Sequence, residues 1–217
     1  MSISSTKPDA PRRGRPGNDR DDVISAAVRL FNDHGYEATT IGMIADQLGV
    51  SKSAIYHHVR SKEELLAAAL DHAMGSLEAV LADEQSQAGD AVARLEFVMR
   101  GTVTVLTNEL AEVTLLLRLR GNTELERRIL QRRRRFDRAV AQLMQDLADE
   151  QNFGSDIEPR AATRLVFGMI NSITEWYRPD GPLGTQALGD LVVRLVFQGL
   201  RARAQAPDAR AGPDARA

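Results

Sequence analysis

The sequence predicts an all-α protein of about nine helices, arranged as a small N-terminal head of three helices and a larger helical body. Apolar residues recur at three- and four-residue spacing along most of the chain, which is the period of an α-helix. Turn-forming residues interrupt this pattern at short intervals. No segment has the alternating pattern of a strand, so the sequence favours helices packed on helices.

The first helix of the head is predicted from about Asp19 to His34. Aspartates at its start supply a cap and lie where the positive end of the helix dipole favours negative charge. The apolar residues that recur along one side are Val23, Ala27, Leu30 and Phe31. Gly35 is expected to end this helix in the left-handed conformation.

The segment TIGMIADQLGVSKSAIYHHVRSKEEL, from Thr40 to Leu65, predicts two short helices joined by a tight turn. Thr39 or Thr40 caps the second helix of the chain, and Ser51 caps the third. Gly49 lies between them and can adopt the positive φ that a sharp turn needs. This order of elements predicts a helix-turn-helix, whose second helix enters the major groove of DNA.

Small and branched residues allow the two helices of this motif to cross closely. Ala45 keeps the first of them narrow at the crossing, while Val50 and Ile55 are expected to fill the space between them. The third helix is predicted from Lys52 to Val59. Bulk charge gives no support for DNA binding, because 28 Lys and Arg face 30 Asp and Glu, so locally placed cations must supply it.

Longer helices with short breaks follow the head. They are predicted at about 62–86, 90–107, 109–120, 123–151, 158–178 and 185–203. Ser61 and Glu64 are expected to form a capping box at the start of the first of these. The chain therefore divides into a disordered basic arm (1–18), a DNA-binding domain (19–66), a ligand-binding and dimerisation domain (67–203) and a disordered tail (204–217). The arm carries Arg12, Arg13 and Arg15, which can reach DNA beside the docked head.

Composition and motifs exclude several classes of protein. The chain has no cysteine, which rules out disulfides and thiolate metal sites. His57 and His58 are adjacent and lack the ligand spacing of a metal site. Neither a nucleophile elbow, a phosphate loop nor a zinc-protease motif is present, so we expect no enzyme and no cofactor. Without a signal peptide or a membrane span, the chain is expected to be cytoplasmic.

The segment ATTIGMIADQLGVSKSAIYHHVRSKEELL, from Ala38 to Leu66, resembles the TetR family of bacterial transcriptional regulators. The resemblance implies a homodimeric repressor that binds double-stranded operator DNA and is released by a small-molecule effector. It implies phosphate contacts for Thr40, Tyr56 and Lys62. Residues on or beside the groove-facing side of the recognition helix would be Ser51, Lys52, Ser53, Ala54 and His57.

One residue departs from the family pattern. Val59 stands where such families usually have Phe, and it is expected to fill the head core with less volume. At the other end of the chain, the last two helices have broad apolar faces that need partners on two sides. They are expected to form a four-helix bundle between two copies of the chain.

The segment ITEWYRPDGPLG, from Ile173 to Gly184, resembles regulators of aromatic-acid, fatty-acid or steroid breakdown, which sense coenzyme A (CoA) thioesters. The residues expected to line an effector site are Phe97, Arg100, Leu116, Leu119, Arg120, Phe167, Asn171 and Trp176. Trp176 and Arg178 can equally brace the dimer. The run Arg132–Arg135 wraps around its helix and is expected to be a solvated, salt-bridged face.

Two other functions remain open at this point. The protein can be a repressor of an efflux pump that senses a hydrophobic, cationic drug, although only 5% of its residues are aromatic. It can also be an architectural DNA-binding protein without a ligand. A cavity in the body would argue against the second of these.

Overall fold

The computed structural model describes residues 19–151 and 158–204, with side chains to residue 199. Within these ranges the chain forms nine α-helices, one short 3₁₀ turn and no strand, which confirms the predicted fold class. The helices are α1 Arg20–His34, α2 Ile41–Leu48, α3 Lys52–His58, α4 Lys62–Ala82, α5 Ala91–Asn108, α6 Leu110–Leu117, α7 Glu124–Glu150, α8 Pro159–Trp176 and α9 Thr185–Ala204, and the 3₁₀ turn is Glu84–Ser86.

Caps fix the helix starts of the head. Asp19 accepts from the backbone of Asp22, and Asp22 accepts in return, so the full capping box lies at α1. The box predicted at α4 forms only in part, because Glu64 accepts from the backbone of Arg60 rather than that of Ser61. Thr39 is buried and donates to the Gly35 carbonyl at 2.8 Å.

The two turns of the head require glycine. Gly49 has φ +67° and ψ 34°, the left-handed conformation predicted for the turn between α2 and α3. Gly35 has φ +84° and ψ 155°, which lies outside the left-handed helical region expected for it. Both conformations are strained for any residue with a Cβ. The head core closes around Ala45, Ile55 and Val59, which are all buried.

Helix α4 connects the head to the body. It begins beside α3 and runs without a break to Ala82, so the predicted domain boundary at 66/67 lies inside a continuous helix. By length and composition α4 resembles a membrane-spanning helix. Its apolar residues are instead buried between α1, α5, α6 and α7, as expected for a core helix of a globular domain.

The body is built around α5, which packs against α4, α7, α8 and α9. Helix α6 joins this body to the head: the Asn32 side chain at the end of α1 donates to the Ala111 carbonyl at 2.8 Å. Arg118 at the end of α6 donates to the Asn32 carbonyl at 2.8 Å. Two hydrogen bonds between Asn32 and α6 therefore fix the end of α1 to the body.

Helices α8 and α9 leave an apolar face exposed on the single chain. Leu165 is 76% exposed, Leu195 54% and Trp176 50%. Their opposite sides carry buried residues such as Ile170 and Val192. Each helix is thus apolar on two sides, of which this chain covers one.

Candidate DNA-binding surface and effector cleft

The third helix, α3, presents a polar surface to solvent and one residue to the core. Ile55 is almost fully buried and anchors α3, whereas Tyr56 is 55% exposed. The other predicted contacts, Ser51, Lys52, Ser53 and His57, are exposed, and Ala54 is half-buried. Ser51 caps the helix by accepting from the Ala54 backbone at 3.2 Å. All the residues predicted on or beside the groove-facing side of α3 are therefore at least partly accessible.

The start of α2 lies beside this surface. Thr40 is exposed and accepts from the Met43 backbone at 3.2 Å, so its hydroxyl lies among the free backbone N–H groups of the first turn. Such a helix start attracts phosphate. A Cβ at Gly42 would lie 2.9 Å from the Lys52 side chain, so glycine leaves room for this lysine across α2.

Lys62 has a different environment from the one implied by the family resemblance. Its ammonium donates to the carbonyls of Tyr36 at 2.7 Å and Glu37 at 3.3 Å. It also lies 4.2 Å from the centre of the Tyr36 ring, a cation–π contact. Lys62 therefore braces the turn between α1 and α2, and its implied phosphate contact stays a prediction. Burial, reinforced by Glu63, raises the pKa of Tyr36, which stays protonated.

The predicted arm residues Arg12, Arg13 and Arg15 lie outside the described residues. Their part in DNA binding stays a prediction.

The body contains a small, partly enclosed cavity of about 30 Å³. Its wall is mostly apolar and comes from α4, α5, α6, α7 and α8. The lining residues are Leu77, Thr102, Leu106, Val113, Leu116, Leu117, Arg133, Phe136, Asp137, Phe167 and Asn171. Phe136 and Phe167 meet edge to face, with ring centres 5.7 Å apart.

This cavity adjoins an open cleft of about 640 Å³ between α7 and α8. Four residues line both spaces and mark the junction: Arg133, Asp137, Phe167 and Asn171. The cleft itself is strongly basic. Its arginines are Arg133, Arg134 and Arg138 from α7 and Arg160 and Arg164 from α8.

Within the described residues, none of these five arginines has a side-chain hydrogen bond or ion pair, and what sets them apart is that they line one cleft together. Arg132, in contrast, bonds Glu78 at 2.7 and 3.0 Å and Asp71 at 2.6 Å. Arg94 pairs with Asp146 at 3.2 Å. A cleft lined by unpaired guanidinium groups favours a ligand with several anionic groups.

Asp137 is the acidic residue of the cleft. Surrounding protein atoms raise the pKa of its carboxyl by desolvation, against the opposing effect of Arg133, Arg138 and Arg164. The side chain nevertheless remains in contact with solvent through the open cleft. It is a partial counter-charge to the arginines at the junction with the cavity.

The structure separates the predicted effector residues into two groups. Leu116, Phe167 and Asn171 line the cavity or the cleft. The residues Phe97, Arg100, Leu119, Arg120 and Trp176 line neither space, so their part in an effector site stays a prediction. Arg100 pairs with Asp190 and lines a separate groove between α5 and α9.

The run Arg132–Arg135 contributes to more than one surface of α7. Arg132 faces α4 and is salt-bridged, as predicted, whereas Arg133 and Arg134 line the cleft. A signal for this was present in the sequence, since residues four apart on a helix share a face. Arg134 and Arg138 have this spacing, as do Arg160 and Arg164.

Two family models match the chain. The model described as "Bacterial regulatory proteins, tetR family" matches residues 23–69, which span most of the head and the start of α4. The model described as "Tetracyclin repressor-like, C-terminal domain" matches residues 88–200, which is more than half of the chain.

Three similar proteins cover nearly the same length. The chain is 49% identical to SCO3833, a member of the TetR transcriptional regulator family from Streptomyces coelicolor A3, over 82% of this chain and 90% of that one, with a TM-score of 0.76. It is 25% identical to the transcriptional repressor KstR2 of Mycolicibacterium smegmatis over 89% of this chain and 95% of that protein. It is 26% identical to AibR, solved in complex with isovaleryl coenzyme A and operator DNA, over 82% of this chain and 97% of that one, with a TM-score of 0.68.

Proposed function

This chain belongs to the TetR family of bacterial regulatory proteins, and we propose that it is a homodimeric transcriptional repressor that a CoA thioester releases from its operator. The observation that carries the effector proposal is the cleft of five unpaired arginines that adjoins a partly enclosed, mostly apolar cavity. The repressor acts in the cytoplasm, where it meets double-stranded operator DNA.

The chemistry of a CoA thioester matches the two spaces. Its pyrophosphate and ribose phosphate are strong acceptors, and guanidinium groups bind phosphates in a two-pronged geometry. Its acyl group is apolar and gains free energy by leaving water for the cavity. A free carboxylic acid has only one of these features, so it is expected to bind more weakly.

Asn171 lies at the junction, where the thioester group would be. Within the described residues its side-chain amide has no hydrogen bond, and it lines both the cavity and the cleft. We assign the amide to the thioester carbonyl, which would accept from its nitrogen. This gives the effector three anchoring points along its length: phosphates, carbonyl and acyl group.

A relative supports this assignment. AibR, which shares the fold over nearly its whole length, has been solved with isovaleryl coenzyme A and operator DNA together.

The arginines of the cleft also argue against the alternative effector, a cationic drug, because such a ligand would meet like charge. The existence of a cavity argues against a purely architectural DNA-binding protein.

The exposed apolar face of α8 and α9 supports the homodimer. Leu165, Leu195 and Trp176 are large apolar side chains that monomeric proteins rarely expose together. Pairing two copies across this face would bury it in a four-helix bundle and hold two α3 helices at fixed separation. Two-fold pairing lets the dimer bind two operator half-sites.

Release requires that effector binding changes the relation of the heads. Helix α7 lines the cleft and is bonded to α4 through Arg132, and α4 runs into the head. If the effector binds more tightly to a conformation in which α7 is displaced, it also favours displacement of α4, because Arg132 links the two helices. A preference of about 3 kcal/mol would weaken operator binding by roughly two orders of magnitude.

Fluorescence anisotropy of a labelled duplex from upstream of the chain's own gene tests this proposal. Purified protein is bound to the duplex, and CoA thioesters, the matching free acids and CoA itself are then added. We expect release by at least one thioester at concentrations where its acid and CoA have no effect. Tight operator binding that no thioester weakens would contradict the proposal.

A further inference from the structure

We propose that Lys52 binds a phosphate of the operator backbone together with Thr40, and that Gly42 makes room for it to do so. The position that a Cβ of Gly42 would occupy lies 2.9 Å from Lys52 Cε, 3.2 Å from Lys52 Nζ and 3.5 Å from Thr40 Oγ1. The ammonium and the hydroxyl therefore meet over the same residue of α2, although Lys52 belongs to α3. The inference rests on DNA binding by the head and does not depend on the effector.

The side chain of Lys52 leaves the surface of its own helix to reach this place. Lys52 is the first residue of α3, and its end lies over α2. In a helix-turn-helix the second helix enters the major groove, while the first helix crosses the phosphate backbone. An ammonium over α2 thus lies where phosphates pass. This geometry assigns Lys52 to the backbone and leaves base reading to other exposed residues of α3, such as Ser53 and His57.

Both groups are available to an incoming phosphate. Thr40 and Lys52 are exposed. The Thr40 hydroxyl accepts from the Met43 backbone, so its own hydrogen is free to be donated. Within the described residues the Lys52 ammonium has no hydrogen bond or ion pair, whereas that of Lys62 donates to two backbone carbonyls.

The local charge favours an anion between these two groups. Helix α2 begins at Ile41, and the N–H groups of its first turn give this end a partial positive charge. The first turn contains no acidic residue. An ammonium beside a positive helix end is unfavourable without a counter-charge, and a phosphate that accepts from Lys52 and Thr40 supplies one.

Salt dependence separates a phosphate contact from a base contact. Full-length wild type and Lys52→Ala are titrated at several salt concentrations into two labelled duplexes: the one from upstream of the chain's own gene, and a scrambled duplex of the same length and composition. We expect Lys52→Ala to bind both duplexes more weakly by a similar factor, roughly tenfold at low salt. The slope of log affinity against log salt concentration should become shallower by about one for each head bound.

Three results of this titration contradict expectation in different ways. An unchanged salt slope would mean that Lys52 makes no phosphate contact. A loss confined to the upstream duplex would mean that Lys52 reads a base. Wild-type protein that binds neither duplex at low salt would overturn DNA binding by the head, and with it the proposed function.

Gly42→Ala tests the room that glycine provides. The added methyl group would take the place of the Lys52 side-chain end, which is flexible and can move away, so the fold should tolerate the change. Alanine is favoured over glycine inside a helix, so the free energy of unfolding should not fall. We expect weaker binding to both duplexes, and a double variant with Lys52→Ala that binds no more weakly than Lys52→Ala alone.

Gly75→Ala is the matched control, because Gly75 lies inside α4 and an added Cβ there would have open space around it. Its affinity for both duplexes should equal that of wild type. Wild-type affinity in Gly42→Ala, or effects of Gly42→Ala and Lys52→Ala that simply add, would overturn the part assigned to Gly42.

Discussion

The function of each arginine in this protein depends on which side of its helix it occupies. Arg132 and Arg133 are neighbours in sequence, yet one bonds carboxylates of α4 and the other lines the cleft. Successive helical residues point about 100° apart, so a run of like charges serves several surfaces at once. The same reasoning makes the roles of individual arginines separable by mutation.

Removing one cleft arginine is expected to weaken effector binding. Arg138→Ala loses a charge-assisted contact to phosphate, so the thioester midpoint should rise roughly tenfold or more in the anisotropy assay. Arg135→Ala is the control, since Arg135 is exposed on the same helix but does not line the cleft. Equal midpoints for the two variants would mean that the cleft does not hold the phosphates.

Asp137 is expected to oppose effector binding when it is ionised. Desolvation raises the pKa of its carboxyl, so thioester affinity should increase as the pH falls from neutrality towards that pKa. Asp137→Asn should bind more tightly than wild type at neutral pH and should lose this part of the pH dependence. Isothermal titration of both proteins across the same pH range measures this, because protonation of the CoA phosphates is common to both. A parallel pH dependence in the two proteins would exclude Asp137.

The same shift has a consequence for stability. A raised pKa means that the folded protein holds the proton more firmly than the unfolded chain. The resulting stabilisation is fully present below the pKa of the unfolded chain and is lost as the pH rises through the folded pKa. Asp137→Asn should therefore be at least as stable as wild type near neutral pH, measured as the free energy of unfolding in urea.

At the scale of helices, α7 is the element that would connect the proposed effector cleft to the head. One of its faces lines the cleft, and another holds α4 through the bidentate pair of Arg132 and Glu78. The hydrogen bond from Arg132 lowers the pKa of Glu78, so this carboxyl stays ionised and paired until the pH falls below the ordinary range of glutamate. The connection is therefore intact near neutral pH.

Breaking this connection is expected to reduce coupling rather than binding. In Arg132→Ala, operator affinity without effector and thioester affinity without operator should each stay within a few-fold of wild type. The factor by which the thioester weakens operator binding should fall, because α7 no longer pulls directly on α4. Anisotropy with and without saturating thioester gives this factor.

Arg94→Ala is the matched control for that experiment. Arg94 and Arg132 both have side chains that are 18% exposed, but the ion pairs of Arg94 join α5 to acidic residues of α7 and do not involve α4. Its loss should lower stability without changing the coupling factor. If both variants reduced the factor equally, general loosening of the body would explain the effect.

Much of the helix layout could be predicted because helix starts depend on local chemistry. Thr40, Ser51 and Thr123 each cap the helix that follows, and their effect is readable from a few neighbouring residues. The role of Lys62 could not be predicted in this way. Its partners, Tyr36 and Glu37, lie more than twenty residues earlier and meet it only when the head folds.

For the molecule as a whole, we proposed that the apolar face of α8 and α9 pairs two copies of the chain. Leu165→Glu would place a charge in the proposed four-helix bundle, and we expect the protein to become a monomer that binds the operator far more weakly. Size-exclusion chromatography with light scattering measures the mass. The control is Gln131→Glu, a similar change at an exposed position of α7. If the Leu165→Glu protein remained a dimer, the interface would have to lie on another surface of the chain.

The fold class was predictable from helical periodicity, whereas the effector cleft was not. The cleft depends on how α7 and α8 pack, which brings Arg134 and Arg164 together from segments thirty residues apart in the chain. Periodicity alone identifies which residues face inward but not which helices become neighbours. For this reason the sequence predicted Leu116, Phe167 and Arg100 in one site, whereas in the fold Leu116 and Phe167 line the cavity and Arg100 lines a separate groove.

If the effector site and the DNA site are thermodynamically linked, each ligand must change the affinity of the other by the same factor. Butyryl-CoA is titrated calorimetrically into the free protein and into the protein saturated with operator duplex. Linkage requires the operator to weaken thioester binding by the same factor as the thioester weakens operator binding, which we expect to be roughly a hundredfold. Equal thioester affinity for the free and the operator-bound protein would contradict the account.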